Sequence, residues 1–421
     1  MAGDLINGEI PDHWEFTTLG EICQRGGGNI QTGPFGSQLH ASDYVAVGVP
    51  SIMPTNIGEN RIIEDGIVRI TEKDANRLGQ HRLRAGDIIY SRRGDVEKRA
   101  LIREREEGWF CGTGCLKVRL GSGVVDPLFA SLFLGHPAIR EWIVRHAVGA
   151  TMPNLNTTIM SEVPFALPPL AEQNAIAGVI GALDDKIELN RRMNATLEAM
   201  ARALFQSWFV DFDPVRAKLD GRQPFGLDSD TAALFPANFE ESALGPIPQG
   251  WEAGRLDDVL TLQRGFDLPT PDRTHGKYPV MAASGPNGCH DKFMVRGPGV
   301  TTGRSGVLGR VFFIHGDFWP LNTSLWVKEF KRVSTAYSFH LLRGLDFEMF
   351  NAGSAVPTLN RNHVHNLPVV IPPKPIIEAF DSLVMPLMKR QKANEDQSHI
   401  LATLRDTMLP KLLSGELQIN E

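Results

Sequence analysis

The chain has 421 residues, which is too many for a single hydrophobic core and indicates two or three domains. Because 22% of the residues are charged and no stretch of about 18 apolar residues exists, we expect a soluble cytoplasmic protein without a membrane span or a signal peptide. The net charge of −6 argues against DNA binding by a uniformly basic surface, so any DNA contact must rest on local basic patches or on a partner that shares the DNA. The four cysteines lack zinc-ligand spacing, which favours reduced thiols.

The first predicted domain covers residues 1–166 and consists mainly of short strands joined by turns. Segments such as AGDIIYS and CLKVRL alternate in polarity or are continuously apolar, with Gly, Pro and Asn between them. Residues 129–149 predict one or two helices that close the domain. This mixture of elements predicts an α+β fold.

A basic loop lies between two of these predicted strands, with the sequence SRRGDVEKR at 91–99. Glycine lets the backbone approach a ligand closely, and arginine can bind phosphate or the edge of guanine with two hydrogen bonds. The candidate DNA-binding residues of this loop are Arg92, Arg93, Lys98 and Arg99. The alternative interpretation is a basic hairpin that only faces solvent.

Residues 167–213 predict one long amphipathic helix. Pro168 and Pro169 stand where a helix can begin, and Asp213 before Pro214 marks its end. Apolar or small residues recur every three or four positions, which is the seam of a coiled coil. The predicted seam residues are Ile176, Ile180, Leu183, Ile187, Asn190, Asn194, Leu197 and Leu204. At a rise of 1.5 Å per residue, a helix of about 40 residues spans roughly 60 Å, too long for one globular layer.

Residues 214–246 are rich in Pro, Gly, Asp and Ala and predict a connector, after which the chain repeats itself in a second predicted domain, 247–369. Three segments recur: IPDHWEFTTLGEI (10–22) as IPQGWEAGRLDDV (247–259), GDIIYSRRGDVEKRALI (86–102) as PGVTTGRSGVLGRVFFI (298–314), and GATMPNLN (149–156) as GSAVPTLN (353–360). The offset falls from 237 to 212 to 204, so the two domains share their edges and differ inside. This pattern is expected for two related binding sites that recognise different ligands.

The second domain also repeats the basic loop. At the offset of 212, Arg92 corresponds to Arg304 and Lys98 to Arg310. Arg304 and Arg310 are therefore the candidate DNA-binding residues of the second domain.

Residues 370–421 predict a second long helix that copies the first. Its predicted seam residues are Phe380, Val384, Leu387, Asn394, Leu401, Met408 and Leu412. We expect the two helices to form an antiparallel coiled coil in which Asn194 meets Asn394 and Leu197 meets Gln391. Polar seam residues that pair in this way would set the register of the helices.

No set of catalytic or metal-binding residues accompanies these elements. The Pro-Pro pairs at 168–169 and 372–373 lack the flanking Asp or Asn and the aromatic residue of an amino-methyltransferase motif, and the segment around Gly303 lacks the lysine and first glycine of a P-loop. His363 and His365 suggest a metal nuclease, but no carboxylate cluster accompanies them, so a loop histidine is the better interpretation.

The motifs together resemble the specificity (S) subunits of type I restriction-modification systems, over essentially the whole chain. The resemblance rests on IPDHWEFTTLGEI, GPFGSQLHASDY, MPNLNTTIMSEVPFALPPLAEQNAIA, ALFQSWFVDFDPV, VPTLNRNHVHNLPVVIPP and LRDTMLPKLLSGEL in this order. It implies two target-recognition domains in tandem, separated by two long helices that form an antiparallel coiled coil. Each domain would read one half of a bipartite asymmetric site in double-stranded DNA.

The resemblance also implies partners. Two methyltransferase (M) subunits would dock on the helices and carry S-adenosylmethionine and the adenine-N6 chemistry, and restriction (R) subunits would use ATP and Mg. This chain itself would then be non-catalytic and hold no cofactor. The alternatives are a stand-alone DNA-modifying enzyme, a non-recognising scaffold with degenerate recognition domains, and a specificity subunit of a system that only methylates.

Overall fold

The structure is a computed structural model that describes residues 11–149, 152–347 and 357–419. Ile10 of the first repeated motif and parts of the motifs GATMPNLN and GSAVPTLN lie outside the described residues. The chain divides into two compact units, which we call unit 1 (Met1–Leu189 with Gln397–Glu421) and unit 2 (Asn190–Asp396). Each of the two long helices therefore contributes one half to each unit.

Unit 1 is an α+β unit built on two antiparallel-rich sheets. Its strands are β1 (Glu15–Thr18), β2 (Gly27–Thr32), β3 (Tyr44–Val45), β4 (Val49–Ile52), β5 (Val68–Ile70), β6 (Ile88–Ser91), β7 (Arg99–Leu101), β8 (Phe110–Cys111), β9 (Cys115–Gly121) and β10 (Pro164–Leu167). Its short helices are α1 (Leu19–Gly26), α2 (Glu72–Arg77), α3 (Pro127–Phe133), α4 (Pro137–His146) and α5 (Thr157–Ser161). The sheet orders are β2-β9-β6-β7 and β3-β5-β4-β8, and β1 pairs with β10.

The first long helix, α6 (Leu170–Phe209), follows β10 and is shorter than the predicted 167–213 at both ends. It begins after Pro168 and Pro169 because Leu167 still belongs to strand β10. It ends at Phe209 because Phe212 adopts a left-handed backbone conformation, φ 56°, and a new helix, α7 (Asp213–Leu219), starts there with Pro214 in its first turn. The 214–246 segment is therefore folded rather than a plain connector, and Val215 and Phe235 are buried.

Unit 2 repeats the architecture of unit 1 after this segment. Its strands are β11 (Phe239–Ser242), β12 (Gly245–Pro248), β13 (Glu252–Arg255), β14 (Leu260–Arg264), β15 (Tyr278–Ala282), β16 (Gly285–His290), β17 (Gly299–Gly303), β18 (Val311–Ile314), β19 (Trp319–Pro320), β20 (Ser324–Phe330) and β21 (Pro368–Ile371). Its helices after α7 are α8 (Ser229–Ala233), α9 (Leu256–Val259), α10 (Thr335–Arg343), α11 (Arg361–His365) and α12 (Lys374–Leu413).

The sheet register reproduces the repeat found in the sequence. The main sheet of unit 2 has the order β14-β20-β17-β18, which matches β2-β9-β6-β7 of unit 1 strand for strand. In unit 1, Glu15 lies opposite Leu167, and in unit 2 Glu252 lies opposite Ile371. The first residues of the two pairs differ by 237 (252 − 15) and the second by 204 (371 − 167), which are the first and last offsets of the sequence repeat. In each unit, the strand that leads into the long helix therefore pairs with a strand near the start of the unit.

The halves of α6 and α12 pack antiparallel within each unit. In unit 1, Ile176 and Ile180 share a buried cluster with Leu412, and Arg405 donates to Asp184 at 2.8 Å. In unit 2, Phe205 and Trp208 of α6 pack against Phe380 of α12. Each unit's core thus combines its main sheet with one half of the helix pair. In unit 1, Ile88 of the sheet and Ile180 of α6 belong to one buried cluster, and in unit 2 Val300 of the sheet and Val384 of α12 belong to another.

Within the described ranges, none of the helices is both long and apolar enough to cross a bilayer.

Candidate DNA interface

The basic loop of unit 1 is the hairpin between β6 and β7, and a second segment of the chain holds it. Gly94 has a φ of 76°, which a residue with a side chain would adopt only with strain, and its N–H donates to the carbonyl of Pro153 at 3.1 Å. The N–H of Leu155 donates in turn to the carbonyl of Arg92 at 2.9 Å. The Pro-x-Leu-Asn segment at 153–156 therefore clamps the Arg-x-Gly turn.

Unit 2 contains the same clamp. Gly306 has a φ of 90° and donates to the carbonyl of Pro357 at 2.9 Å, and Leu359 donates to the carbonyl of Arg304 at 2.8 Å. Two motifs that the sequence repeats separately thus contact each other in both units. We call each arrangement the arginine clamp.

The last residue of the Pro-x-Leu-Asn segment also has a structural role. Asn156 accepts the N–H of Ile159 at 2.8 Å and caps α5, and Asn360 accepts the N–H of Asn362 at 3.0 Å and caps α11. An asparagine side chain at this position satisfies an N–H group that the helix itself leaves unpaired. The asparagine side chain therefore anchors the Pro-x-Leu-Asn segment to the short helix that follows it, in addition to the backbone hydrogen bonds that join the segment to the basic loop.

The predicted DNA-binding residues of unit 1 differ in accessibility. Arg92 is half-buried, its Nε donates to the carbonyl of Leu155 at 3.3 Å, and its guanidinium carbon lies 5.6 Å from the ring centre of Phe35. Partial burial, with a smaller effect of the charge on Arg93, lowers the pKa of Arg92, which still remains protonated at neutral pH. Arg93 is exposed, and Lys98 is exposed and paired with Asp95 at 2.5 Å.

The prediction for Arg99 is wrong. Only 7% of Arg99 is exposed, and its Nε donates to the carbonyl of Ser131 at 2.6 Å inside the unit. Arg99 is the first residue of β7, opposite Tyr90 of β6, so the strand register turns its side chain toward α3 rather than toward solvent. It is a core residue and leaves the set of DNA-binding candidates.

In unit 2 both predicted arginines lie near the surface. Arg304 is half-buried, and its Nη1 donates to the carbonyl of Asn322 at 3.2 Å. Arg310 is exposed, and its Nη1 donates to the carbonyl of Ser284 at 3.2 Å. Both side chains keep further N–H groups for a ligand, because a guanidinium has five.

The predicted seam residues of α6 and α12 are all buried or half-buried. In unit 2, Asn394 donates from Nδ2 to Oδ1 of Asn194 at 2.8 Å. Gln391 donates from Nε2 to the backbone carbonyl of Asn194 at 3.1 Å, and Nδ2 of Asn194 donates to the backbone carbonyl of Gln391 at 3.1 Å. The polar centre of the helix pair is therefore a reciprocal amide network.

Among the residues that the structure describes, no three His, Cys, Asp or Glu side chains are grouped so that they could hold a metal ion. The buried thiols serve the fold instead. Cys115 lies against the carbonyl of Ile52 at 3.3 Å, and Ser324 occupies the corresponding place in unit 2, where its hydroxyl donates to the carbonyl of Met281 at 3.2 Å. Burial raises the pKa of the Cys115 thiol, which favours the uncharged form.

Comparison with known proteins identifies the repeated unit. The sequence profile of the type I restriction modification DNA specificity domain matches residues 11–199 and again residues 248–395. The chain belongs to this family. Both matches include an arginine clamp and the start of a long helix, so the family's domain corresponds to the repeat seen in the structure.

Relatives within the specificity family extend over the whole chain. The specificity subunit of the type I restriction enzyme MjaIX from Methanocaldococcus jannaschii is 26% identical over 448 positions, covering 98% of this chain and 96% of the relative. The specificity subunit of the type I restriction enzyme HindI from Haemophilus influenzae is 24% identical, covering 87% and 95%. A crystal structure of a type I S subunit from M. genitalium shares the fold, with a TM-score of 0.63 at 16% identity and coverage of 96% and 97%.

The sequence interpretation missed the residues beside the clamped arginines. Phe35 of unit 1 is 56% exposed next to Arg92, and in unit 2 the half-buried Asn322 contacts Arg304 and donates a hydrogen bond to the exposed Asp267. The sequence does contain a signal for them, because Gly33 stands two positions before Phe35 and Gly265 two positions before Asp267. The two glycines differ by 232, which lies between the offsets of 237 and 212 found for the repeated motifs on either side. Without the sheet register, a single glycine is too weak a signal to align.

Proposed function

We propose that this chain is the DNA-specificity subunit of a type I restriction-modification complex, in which each unit reads one half of a bipartite asymmetric site. One observation carries the proposal: the same arginine clamp is built twice, on the same backbone hydrogen bonds, with different side chains around it. A protein that reads two different half-sites needs one scaffold and two sets of contacts. The predicted domain limits, 1–166 and 247–369, are the parts we assign to recognition.

The clamps suit DNA because they place arginine and exposed polar groups on rigid turns. In the major groove, arginine can bind guanine through O6 and N7, and it can equally bind phosphate. Arg93 and Arg310 are the exposed members, so we assign them to phosphate or base contact. The net charge of −6 is compatible with this role if partner subunits supply part of the positive surface around the duplex.

The helices are the docking elements in this proposal. Apolar side chains are exposed on both of them, including Met200 and Leu189 on α6 and Ile400 and Leu404 on α12. Exposed apolar groups on a regular helix face are typical of a protein contact. We assign them to two M subunits, which would bind S-adenosylmethionine and methylate adenine at N6, while R subunits would use ATP and Mg. The chain itself would bind no cofactor.

A methylome tests this function directly. The chain is expressed with its neighbouring M subunit in a methylation-free host, and the genomic DNA is sequenced for N6-methyladenine. We expect a single asymmetric bipartite motif that disappears when this chain is omitted. Methylation that persists without the chain would favour an enzyme or scaffold role, and a short continuous motif would contradict two-unit recognition.

The exposed arginines offer a second test with a matched control. Arg93→Ala and Arg310→Ala should each weaken binding of the methyltransferase complex to its site and reduce the dependence of the binding constant on salt by about one ion. Arg222→Ala is the control, because Arg222 is also exposed but is paired with Asp220 in the segment between the recognition domains. Equal affinities for all three variants would remove Arg93 and Arg310 from the interface.

A further inference from the structure

The surroundings of Arg92 and Arg304 can be compared residue by residue because their backbone frames coincide. Gly33 donates to the carbonyl of Cys115 at 2.8 Å, and Gly265 donates to the carbonyl of Ser324 at 3.1 Å. Arg92 donates from its backbone N–H to Gly114 at 2.8 Å, and Arg304 donates to Thr323 at 2.9 Å. The accepting residues lie at the start of β9 in unit 1 and of β20 in unit 2. Cys115 corresponds to Ser324 and Gly114 to Thr323, both with a difference of 209 in residue number.

The two glycines also sit in equivalent tight spaces. A Cβ at Gly33 would lie 2.2 Å from the carbonyl oxygen of Gly112, and a Cβ at Gly265 would lie 2.2 Å from that of Leu321. These carbonyls are again related by 209 (321 − 112). The chain therefore leaves the sheet at the same point in both units. Two positions later, Phe35 lies beside the clamped Arg92, and the corresponding Asp267 is linked to the clamped Arg304 through Asn322.

In unit 1 this position is an exposed aromatic ring. The backbone N–H of Phe35 donates to Oε1 of Gln38 at 3.1 Å, and the backbone N–H of Gln38 donates to the carbonyl of Phe35 at 2.8 Å. This turn fixes the ring under the guanidinium of Arg92, yet 56% of Phe35 remains exposed. An exposed ring that is held in place in this way is suited to contact with an apolar group on a ligand.

In unit 2 the same position is polar. Asp267 accepts a hydrogen bond from Nδ2 of Asn322, and Arg264 lies 3.8 Å from Asp267. Asn322 in turn is tied to the clamp, because its carbonyl accepts the bond from Arg304 at 3.2 Å. Asp267 retains its second carboxylate oxygen, so this cluster can accept a hydrogen bond from an amino group where unit 1 offers only a ring.

We propose that Phe35 in unit 1 and Asp267, oriented by Asn322, in unit 2 are specificity-determining residues that read a base in the major groove. Phe35 makes an apolar contact with the C5-methyl group of a thymine, and Asp267 accepts from the exocyclic amino group of a cytosine or an adenine. These are the contacts that the exposed edges of those bases allow. The inference rests on the proposed function, since it names what each unit reads.

The test uses the complete methyltransferase complex and a DNA library that carries every single-base change in the motif found by the methylome. Phe35→Ala should lower discrimination at one position of one half-site by about fourfold, the contribution of one buried methyl group, and leave the other half unchanged. Asp267→Ala should lower discrimination by about tenfold at one position of the other half only. Phe225→Ala is the matched control, because Phe225 is a fully exposed ring in the segment before β11 and should keep both halves unchanged.

A second measurement on the unaltered protein removes any dependence on how the variants fold. Replacing the thymine read by unit 1 with deoxyuridine deletes only the C5-methyl group, and binding should weaken roughly fourfold, as expected for one buried methyl group. The Phe35→Ala complex should bind both DNAs equally. Deoxyuridine at the corresponding position of the other half-site should have no effect on the unaltered complex.

The possible outcomes separate this inference from the function on which it rests. If the unaltered complex methylates a bipartite motif and neither variant changes base preference, the assignment of Phe35 and Asp267 is overturned while the function stands. If both variants alter the same half-site, the assignment is also overturned. If the unaltered complex shows no bipartite motif, the proposed function itself fails.

Discussion

The two units fill the space between their main sheet and their long helices in opposite ways. In unit 1, Arg99 of β7 is buried against α3, and Gly135 lies beside it in the turn after α3, where a Cβ would lie 1.7 Å from Nη2 of Arg99. In unit 2, Val311 holds the position of Arg99 at the offset of 212. Counted from the helix N-caps Asp126 and Ser334, Arg343 holds the position of Gly135, and its Nη2 donates to Glu198 at 2.6 Å. The guanidinium has moved from the strand to the helix.

The long helices show the same exchange. Unit 1 contains the ion pair Arg405–Asp184, at 2.8 Å and with both side chains largely buried. At the repeat offset of 204, these residues correspond to Ala201 (405 − 204) and Met388 (184 + 204) of unit 2. In unit 2 these two positions, together with Val311, His340 and Arg343 among others, line a cavity of about 320 Å³ that opens to solvent. The two units thus share a backbone fold, but unit 1 places paired charges between its long helices, whereas unit 2 has smaller or uncharged side chains and a cavity at the same positions.

The largest effect is expected for Arg99→Ala in unit 1. The substitution removes a buried side chain and leaves a cavity beside α3, so the free energy of unfolding should fall by about 3 kcal/mol. Urea denaturation followed by tryptophan fluorescence measures the change. Arg93→Ala, an exposed arginine in the same hairpin, is the control and should stay within about 0.5 kcal/mol of the unaltered protein. Equal losses for both variants would contradict the burial of Arg99.

The ion pair of unit 1 should show a smaller effect that the residues of unit 2 can relieve. Arg405→Ala leaves Asp184 partly buried and unpaired, which should cost about 2 kcal/mol of unfolding free energy. Adding Asp184→Met reproduces the pair found in unit 2 and should recover most of the loss, because no uncompensated charge remains. A double variant that is less stable than Arg405→Ala alone would show that the charge pair is not what holds these helices together.

Acid should destabilise the chain in part through His340, which lines the cavity and is only 4% exposed. Burial, and then the charge on Arg343, lowers the pKa of His340 to about 4. The unfolded chain takes up this proton near pH 6.5, so the stability from His340 is present above that pH and is lost as the pH falls from 6.5 toward 4. His340→Gln should reduce the loss of unfolding free energy between pH 6.5 and 5 by about 1 kcal/mol.

His81 provides the comparison in unit 1, since burial and then Lys117 lower its pKa to about 4 as well. His81→Gln should flatten the pH dependence by a similar amount. An unchanged pH dependence in both buried variants would contradict these two pKa directions.

The smallest effect is a gain in stability from filling the cavity of unit 2. Ala201→Met adds apolar atoms where the lining leaves room, and the unfolding free energy should rise by about 1 kcal/mol. Ala75→Met is the control, because Ala75 is fully buried among the apolar side chains of a cluster in unit 1, and overpacking there should cost about 1 kcal/mol or more. Equal destabilisation by both changes would show that the cavity cannot accept a larger side chain.

The sequence was sufficient for the features that depend on local pattern and repetition. The period of Ile176, Ile180 and Ile187 predicts the helix seam, and the repeat of the Arg-x-Gly turn predicts two equivalent hairpins, because both signals lie within single elements. Arg99 could not be placed from sequence, since an arginine after a basic loop is usually exposed and only the strand register and Gly135 show that it is buried. Phe35 and Asp267 were missed because their proximity to the arginines depends on contacts between distant strands.

The central claim is that each unit reads its own half of the DNA site. The most direct test replaces residues 247–369 by the corresponding segment of another member of the specificity family, keeps α6 and α12 unchanged, and determines the N6-methyladenine motif with the same M subunit. We predict that one half of the bipartite motif changes while the other half and the methylation activity are retained. A motif in which both halves change, or neither does, would contradict the account.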